Sequence, residues 1–182
     1  MYSSPMERIM KEYQDLNRFP LSQFGLSIGL INNNDYSRWR FTLMAPRDSL
    51  YKGGYFKLDA FFPNGYPSIP PEICFVNPIY HINVNDTAPF SQVQHPLGAI
   101  CIGPLGFWKQ NYTMRELICS IYSLFYYVNP SCAYNNNKAN EYKNDRHTYE
   151  SKVKYFVRKY ASLNSYAVEF DRTHDWNFNV YS

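Results

Sequence analysis

Residues 39–62 read WRFTLMAPRDSLYKGGYFKLDAFF. Two strand-like runs, 39–43 and 55–62, flank a stretch that closes on the turn formers Lys52, Gly53 and Gly54. Consecutive strands joined by a short connection pair most economically as antiparallel neighbours. Working outward, residues 26–31 form an earlier strand-like run, set off from Trp39 by the turn residues 32–35, and 73–76 form a later one. Four such runs in succession predict an antiparallel meander.

Helical patterns bracket the strands. Ser4, Pro5 and Glu7 compose a helix start, in which Ser4 caps, Pro5 occupies a position whose missing N–H costs nothing, and Glu7 completes a capping box. Met6, Ile9, Met10, Tyr13 and Leu16 then recur at helical spacing, with Arg8, Lys11 and Glu12 on the other side, and the helix is expected to end near Phe19 and Pro20. Residues 77–110 lose periodicity and are rich in Pro, Gly and Asn; a loop this long inside a compact domain usually carries function. Thr113 and Glu116 form a second capping box, and Leu117, Ile118, Ile121, Leu124 and Phe125 give the following helix a broad apolar face suited to a central buried position. Weaker helical patterns cover 139–146 and 148–163. The order of elements is that of an α+β domain over residues 1–163, followed by a tail, 164–182, without clear periodicity.

Composition excludes several classes. With 45% hydrophobic residues in 182, the chain has enough apolar material for one core and is not disordered throughout. The net charge of +3 is too small and too dispersed to argue for nucleic acid. No stretch could span a bilayer as a helix, and no charged start followed by an apolar run would export the chain, so an intracellular protein, cytoplasmic or nuclear, is expected. Accordingly Cys74, Cys101, Cys119 and Cys132 read as reduced thiols, three of them inert packing or surface residues. No CxxC pair is present, so no metal site and no cofactor are expected.

Several ordered motifs resemble the ubiquitin-conjugating enzymes. Pro46, the run Ser49 through Gly54, Phe61-Phe62-Pro63 and Tyr66-Pro67-Ser68-Ile69-Pro70-Pro71 are similar to that family's strand and turn signature. Tyr80-His81-Ile82-Asn83 resembles its His-Pro-Asn motif and Gly98-Ala99-Ile100-Cys101-Ile102 its active-site segment, while Trp108 and Asn129-Pro130 fall where the family has them. The resemblance implies a carrier that receives ubiquitin or a ubiquitin-like protein from an activating enzyme, which consumes the ATP, as a thioester on Cys101. It then passes the cargo to a lysine or to a ligase cysteine. The chemistry agrees: a thiolate is the only strong nucleophile these loops offer, and a Gly- and Pro-rich surface loop is a poor place to bury one. Cys74, in a strand, and Cys119, in the central helix, suit packing instead.

Asn83 has two readings, as a donor to the oxyanion that forms during attack on the thioester, or as a side chain that ties the loop together. His81 is implied to position the loop rather than to act as a base. Arg8 and Lys11 match positions where the family is basic for the activating enzyme. Two other readings keep the fold and change the function: a non-catalytic ubiquitin-binding variant, which would lack the cysteine this chain keeps, and a carrier dedicated to a ubiquitin-like modifier.

Four departures stand against the family pattern. Ile82 replaces the motif proline, which is expected to loosen the loop. Asn83 and Cys101 lie unusually far apart in sequence, implying an insertion from Asp86 to about Pro96 beside the active site. Gly103 and Cys132 stand where acidic residues would otherwise help an incoming lysine. Ser68 replaces a large apolar ligase contact and Lys109-Gln110-Asn111 the usual Ser-Pro-Ala, so an atypical ligase interface is expected.

Overall fold

The computed structural model describes residues 4–86 and 97–163. Helix α1 (Pro5–Arg18) starts as its sequence dictates, with the Ser4 hydroxyl accepting from the Glu7 N–H at 3.1 Å. It buries Ile9, Glu12 and Leu16. Four strands follow, β1 (Ser27–Leu30), β2 (Arg38–Met44), β3 (Tyr55–Phe61) and β4 (Glu72–Phe75), in one antiparallel sheet of order β1-β2-β3-β4. The fold is therefore α+β with the predicted meander.

Register is fixed by alternation and by one cross-strand ion pair. Along β2 the side chains of Trp39, Phe41 and Leu43 point into the core while their neighbours are half-exposed. Arg40 lies opposite Asp59 and bridges both of its oxygens, at 2.7 and 2.8 Å. The turn between β2 and β3 needs its glycines: Gly53 has φ +80, and a Cβ on Gly54 would sit 2.5 Å from the Phe56 ring and 2.9 Å from the Tyr51 carbonyl oxygen.

Among the described residues, four α-helices follow the sheet. A single turn, α2 (Gly103–Gly106), comes just after Cys101. Helix α3 (Met114–Ser123) opens on the predicted capping box, in which both the Thr113 and Glu116 side chains are engaged. Its buried Met114, Leu117, Ile118 and Ile121 join a core in which the Phe125 ring meets Phe56 and Phe75 of the sheet. Helix α4 (Asn136–Asn144) starts earlier than expected because Asn135 caps it, accepting from the Asn137 N–H at 2.9 Å. Asp145 ends it and caps α5 (Arg146–Tyr160), so Arg146 belongs to the later helix.

One polar hub locks α1 in place. The buried Glu12 carboxylate accepts from Tyr66 Oη at 2.7 Å and from the Met114 N–H at 2.6 Å, and it also pairs with Arg8. Arg8 in turn donates to the Tyr112 carbonyl at 2.9 Å. Arg8 and Glu12 thus face inward, contrary to the exposed face expected for them; they satisfy the start of α3 instead of water. The tail, 164–182, and the insertion segment 87–96 lie outside the described residues.

Candidate functional site

The loop after β4 holds the first part of the site. His81 is buried, with Nδ1 accepting from the Asn83 N–H at 2.9 Å and Nε2 at 3.0 Å from the Leu124 carbonyl. That pattern fixes the neutral ring with the proton on Nε2. Burial, assisted by the charge of Lys138 and opposed by the bond to Leu124, pushes the His81 pKa down to about 4. A ring so placed positions the loop and has no free nitrogen for general-base work.

Residues 83–85 and 98–101 run antiparallel. Asn85 N–H donates to the Ala99 carbonyl at 2.9 Å, Gly98 N–H to Asn85 at 2.7 Å, and Cys101 N–H to Asn83 at 2.9 Å. Val84 and Ile100 form a bridge between them, and Ala99 bridges back to Cys74 on β4. Asn83 and Cys101, distant in sequence, are therefore direct backbone hydrogen-bond partners. Ile82, expected to loosen this loop, is packed and bonded in it. Its side chain is fully enclosed in the core and its carbonyl accepts from the Tyr134 N–H at 3.1 Å, so burial replaces the stiffness of proline.

The side chain of Asn83 is fully buried and fully used. Its amide donates to the carbonyls of Asn129 at 2.7 Å and Cys132 at 2.8 Å, and its oxygen accepts from the Asn129 N–H at 2.8 Å. Both amide hydrogens are committed, so in this arrangement no N–H is free for an oxyanion.

Asn83 thereby brings a second cysteine to the first. Cys132, in the short 3-10 turn Pro130–Cys132, faces Cys101, with the Cα atoms 6.0 Å apart, a separation at which a disulfide can close. Cys132 is therefore not the inert packing or surface residue expected of it: the polar clamp of Asn83 sets its backbone at bridging distance from that of Cys101. Cys74 is buried in β4 and Cys119 is half-buried on α3, where burial pushes its thiol pKa up. Both are as expected for packing residues.

Lys138 of α4 completes the surroundings. It is only 3% exposed, pairs with Asp86 at 2.6 Å, donates to the His81 carbonyl at 3.5 Å and lies 4.6 Å from the centre of the Tyr80 ring. Desolvation pulls its pKa down against the opposing pull of Asp86. Sequence reasoning missed Lys138, whose only signal was its place one position before Ala139 on the buried side of a weakly patterned helix.

A family model described as ubiquitin-conjugating enzyme matches residues 8–157. The chain belongs to the ubiquitin-conjugating enzyme family. Membership makes partners in the ubiquitin pathway the general expectation. No helix among the described residues is long and apolar enough to cross a membrane, and they contain no cluster of metal-ligating side chains.

The positions where partner contacts were expected carry two local features. On α1, Arg8 is occupied by Glu12 and Tyr112, which leaves Lys11 as the exposed basic residue of the expected pair. At the expected ligase face the two departures meet: Gln110 Nε2 donates to Ser68 Oγ at 3.0 Å, beside Trp108, which donates to the Pro67 carbonyl at 2.7 Å. Phe107 next to them is 81% exposed.

Proposed function

We propose that the protein, with Cys101 reduced, accepts ubiquitin or a ubiquitin-like protein from an activating enzyme as a thioester on Cys101 and passes it to a lysine or to a ligase cysteine. The carrying observation is the half-exposed Cys101 at the end of a ladder whose other strand is the His81 to Asn85 segment, in a chain of this family. Asn83 and His81 act as positioning residues for that ladder. Lys11 is the contact offered to the activating enzyme, and the ligase face is atypical, with the Ser68–Gln110 pair and the exposed Phe107 in place of the usual apolar contact.

The test is charging. Reduced protein incubated with an activating enzyme, ATP and candidate modifiers should gain one modifier that is removed by thiol on a gel. Cys101→Ser should give an adduct that resists thiol, because an oxyester replaces the thioester. Cys74→Ser, Cys119→Ser and Cys132→Ser should still charge. A thiol-sensitive adduct on Cys101→Ser would reject the assignment. Binding of ubiquitin without any adduct would support the non-catalytic reading, and charging by a ubiquitin-like protein alone would make the chain a dedicated carrier of that modifier.

A further inference from the structure

Two cysteines meet at a site whose proposed chemistry needs one. Their backbones are held by the same residue: Asn83 accepts from the Cys101 N–H through its carbonyl and donates to the Cys132 carbonyl through its amide. Asn129 reinforces the clamp, since its N–H donates to the Asn83 side chain at 2.8 Å and its carbonyl accepts from the Cys132 N–H at 3.1 Å. These bonds do not involve sulfur, so they hold the 6.0 Å Cα separation whether or not the sulfurs are bonded, and that separation suits a disulfide. Cys101, Cys132 and Cys119 are all partly exposed, within reach of a small oxidant, but only Cys132 is held beside Cys101; Cys119 lies on α3 and Cys74 is buried in β4.

We propose that Cys132 is the resolving thiol of Cys101: a hydroperoxide oxidises the Cys101 thiolate, and Cys132 closes the disulfide before oxidation can go further. The thiolate attacks the distal peroxide oxygen, the O–O bond breaks, and the departing oxygen takes up a proton as water or alcohol, leaving a sulfenic acid on Cys101. Cys132 thiolate then attacks the Cys101 sulfur; the S–S bond forms, the S–O bond breaks, and hydroxide leaves and is protonated to water. Two electrons pass from the sulfur pair to the peroxide. A dithiol reductant reverses the step through a mixed disulfide and returns both thiols. The disulfide blocks the nucleophile, and because the closure is intramolecular it outpaces further attack by peroxide on the sulfenic acid. Only its consequence for charging rests on the proposed function; the sulfur chemistry does not.

The full chain, reduced and then exposed to hydrogen peroxide, is quenched with N-ethylmaleimide and mapped by peptide mass spectrometry. Wild type and Cys119→Ser should yield a Cys101–Cys132 linkage. Cys132→Ser and Cys132→Ala, which keep the backbone bond to Asn83, should accumulate about tenfold more sulfinic and sulfonic acid on Cys101. Urea unfolding of the reduced proteins checks that both variants are folded. Peroxide should abolish charging in wild type, with a dithiol restoring it, but the loss should be permanent in Cys132→Ser. Over-oxidation of Cys101 at the same rate in wild type and Cys132→Ser, or linkage of Cys101 to Cys119 or to a second molecule in preference to Cys132, would overturn the proposal. Mapped linkage in a protein that never charges would sustain it and reject the proposed function.

Discussion

The sheet and the loop cluster around Asn83 are equally sealed from water, but by different means. On the sheet, Trp39 is enclosed by Tyr13, Phe41 and Phe62, and its one polar atom donates to the Tyr36 carbonyl at 2.7 Å. In the loop cluster His81, Asn83 and Lys138 are buried polar side chains, each bonded to backbone or to a partner charge. The apolar region loses stability when volume is removed, at any pH. The polar region loses it when a donor, an acceptor or a protonation state is wrong, because a buried polar group without its partner carries the full desolvation cost.

The largest effect should come from the sheet. Trp39→Ala removes the ring at the centre of the aromatic cluster and should cost about 3–5 kcal/mol of unfolding free energy. Urea titrations at several pH values should show the same loss throughout, since no titrating group is removed. A loss that varied between pH 7 and pH 5 would mean that the two regions are coupled through the sheet.

The loop cluster should answer to acid. His81 has a native pKa lowered from 6.5 to about 4, so the unfolded chain binds the proton first, and stability is complete above 6.5 and declines as pH falls toward 4. Across that window the decline amounts to about 3 kcal/mol. Protonated His81 could no longer accept from the Asn83 N–H and would face the Lys138 charge. His81→Gln should flatten this decline; parallel curves for wild type and variant would show that the window belongs to other groups.

Asn83→Ala should follow, at about 2 kcal/mol, because it strands the N–H of Asn129 and the carbonyl of Cys132 and removes one of the two donors to the Asn129 carbonyl. The variant should lose charging and lysine transfer together, since the clamp positions Cys101 for both. Intact charging with slow transfer alone would restore Asn83 as an oxyanion donor.

The contrast also decides what could be read from sequence. Ser4-Pro5 and the Thr113–Glu116 box announced their helices, and the apolar runs announced four strands, because caps and periodicity are local properties. Cys101, Asn83 and His81 were legible through the motif in which they sit. The pairing of Cys132 with Cys101 was not, since 31 positions and a short 3-10 turn separate them and no local pattern reports that distance. The inward turn of Arg8 was hidden for the same reason: its partner, the Tyr112 carbonyl, is backbone from a remote loop. The packing of Ile82 was hidden as well, because the loss of a proline says nothing of whether the replacing side chain enters the core.

The smallest effect concerns the acceptor. Gly103 and Cys132 supply no carboxylate to the site, and the charge of Asp86 is already paired with Lys138 through Oδ2 at 2.6 Å, which weakens its pull on an incoming ammonium. A free thiol, with a pKa of about 8.5 against about 10.4 for lysine, ionises more readily near neutral pH, so the charged protein should discharge faster onto free cysteine than onto free lysine. Cys132→Asp places a carboxylate beside Cys101 and should raise lysine discharge roughly fivefold, a barrier change of about 1 kcal/mol, while leaving cysteine discharge unchanged. Both rates are read from loss of the charged species under non-reducing conditions, with the protein reduced before charging so that the Cys101–Cys132 bond does not limit either one. Asp86→Ala supplies the opposing outcome: brisk lysine discharge in wild type that collapses in this variant would show that Asp86 leaves Lys138 to serve the acceptor, and would make the start of the insertion part of the catalytic site.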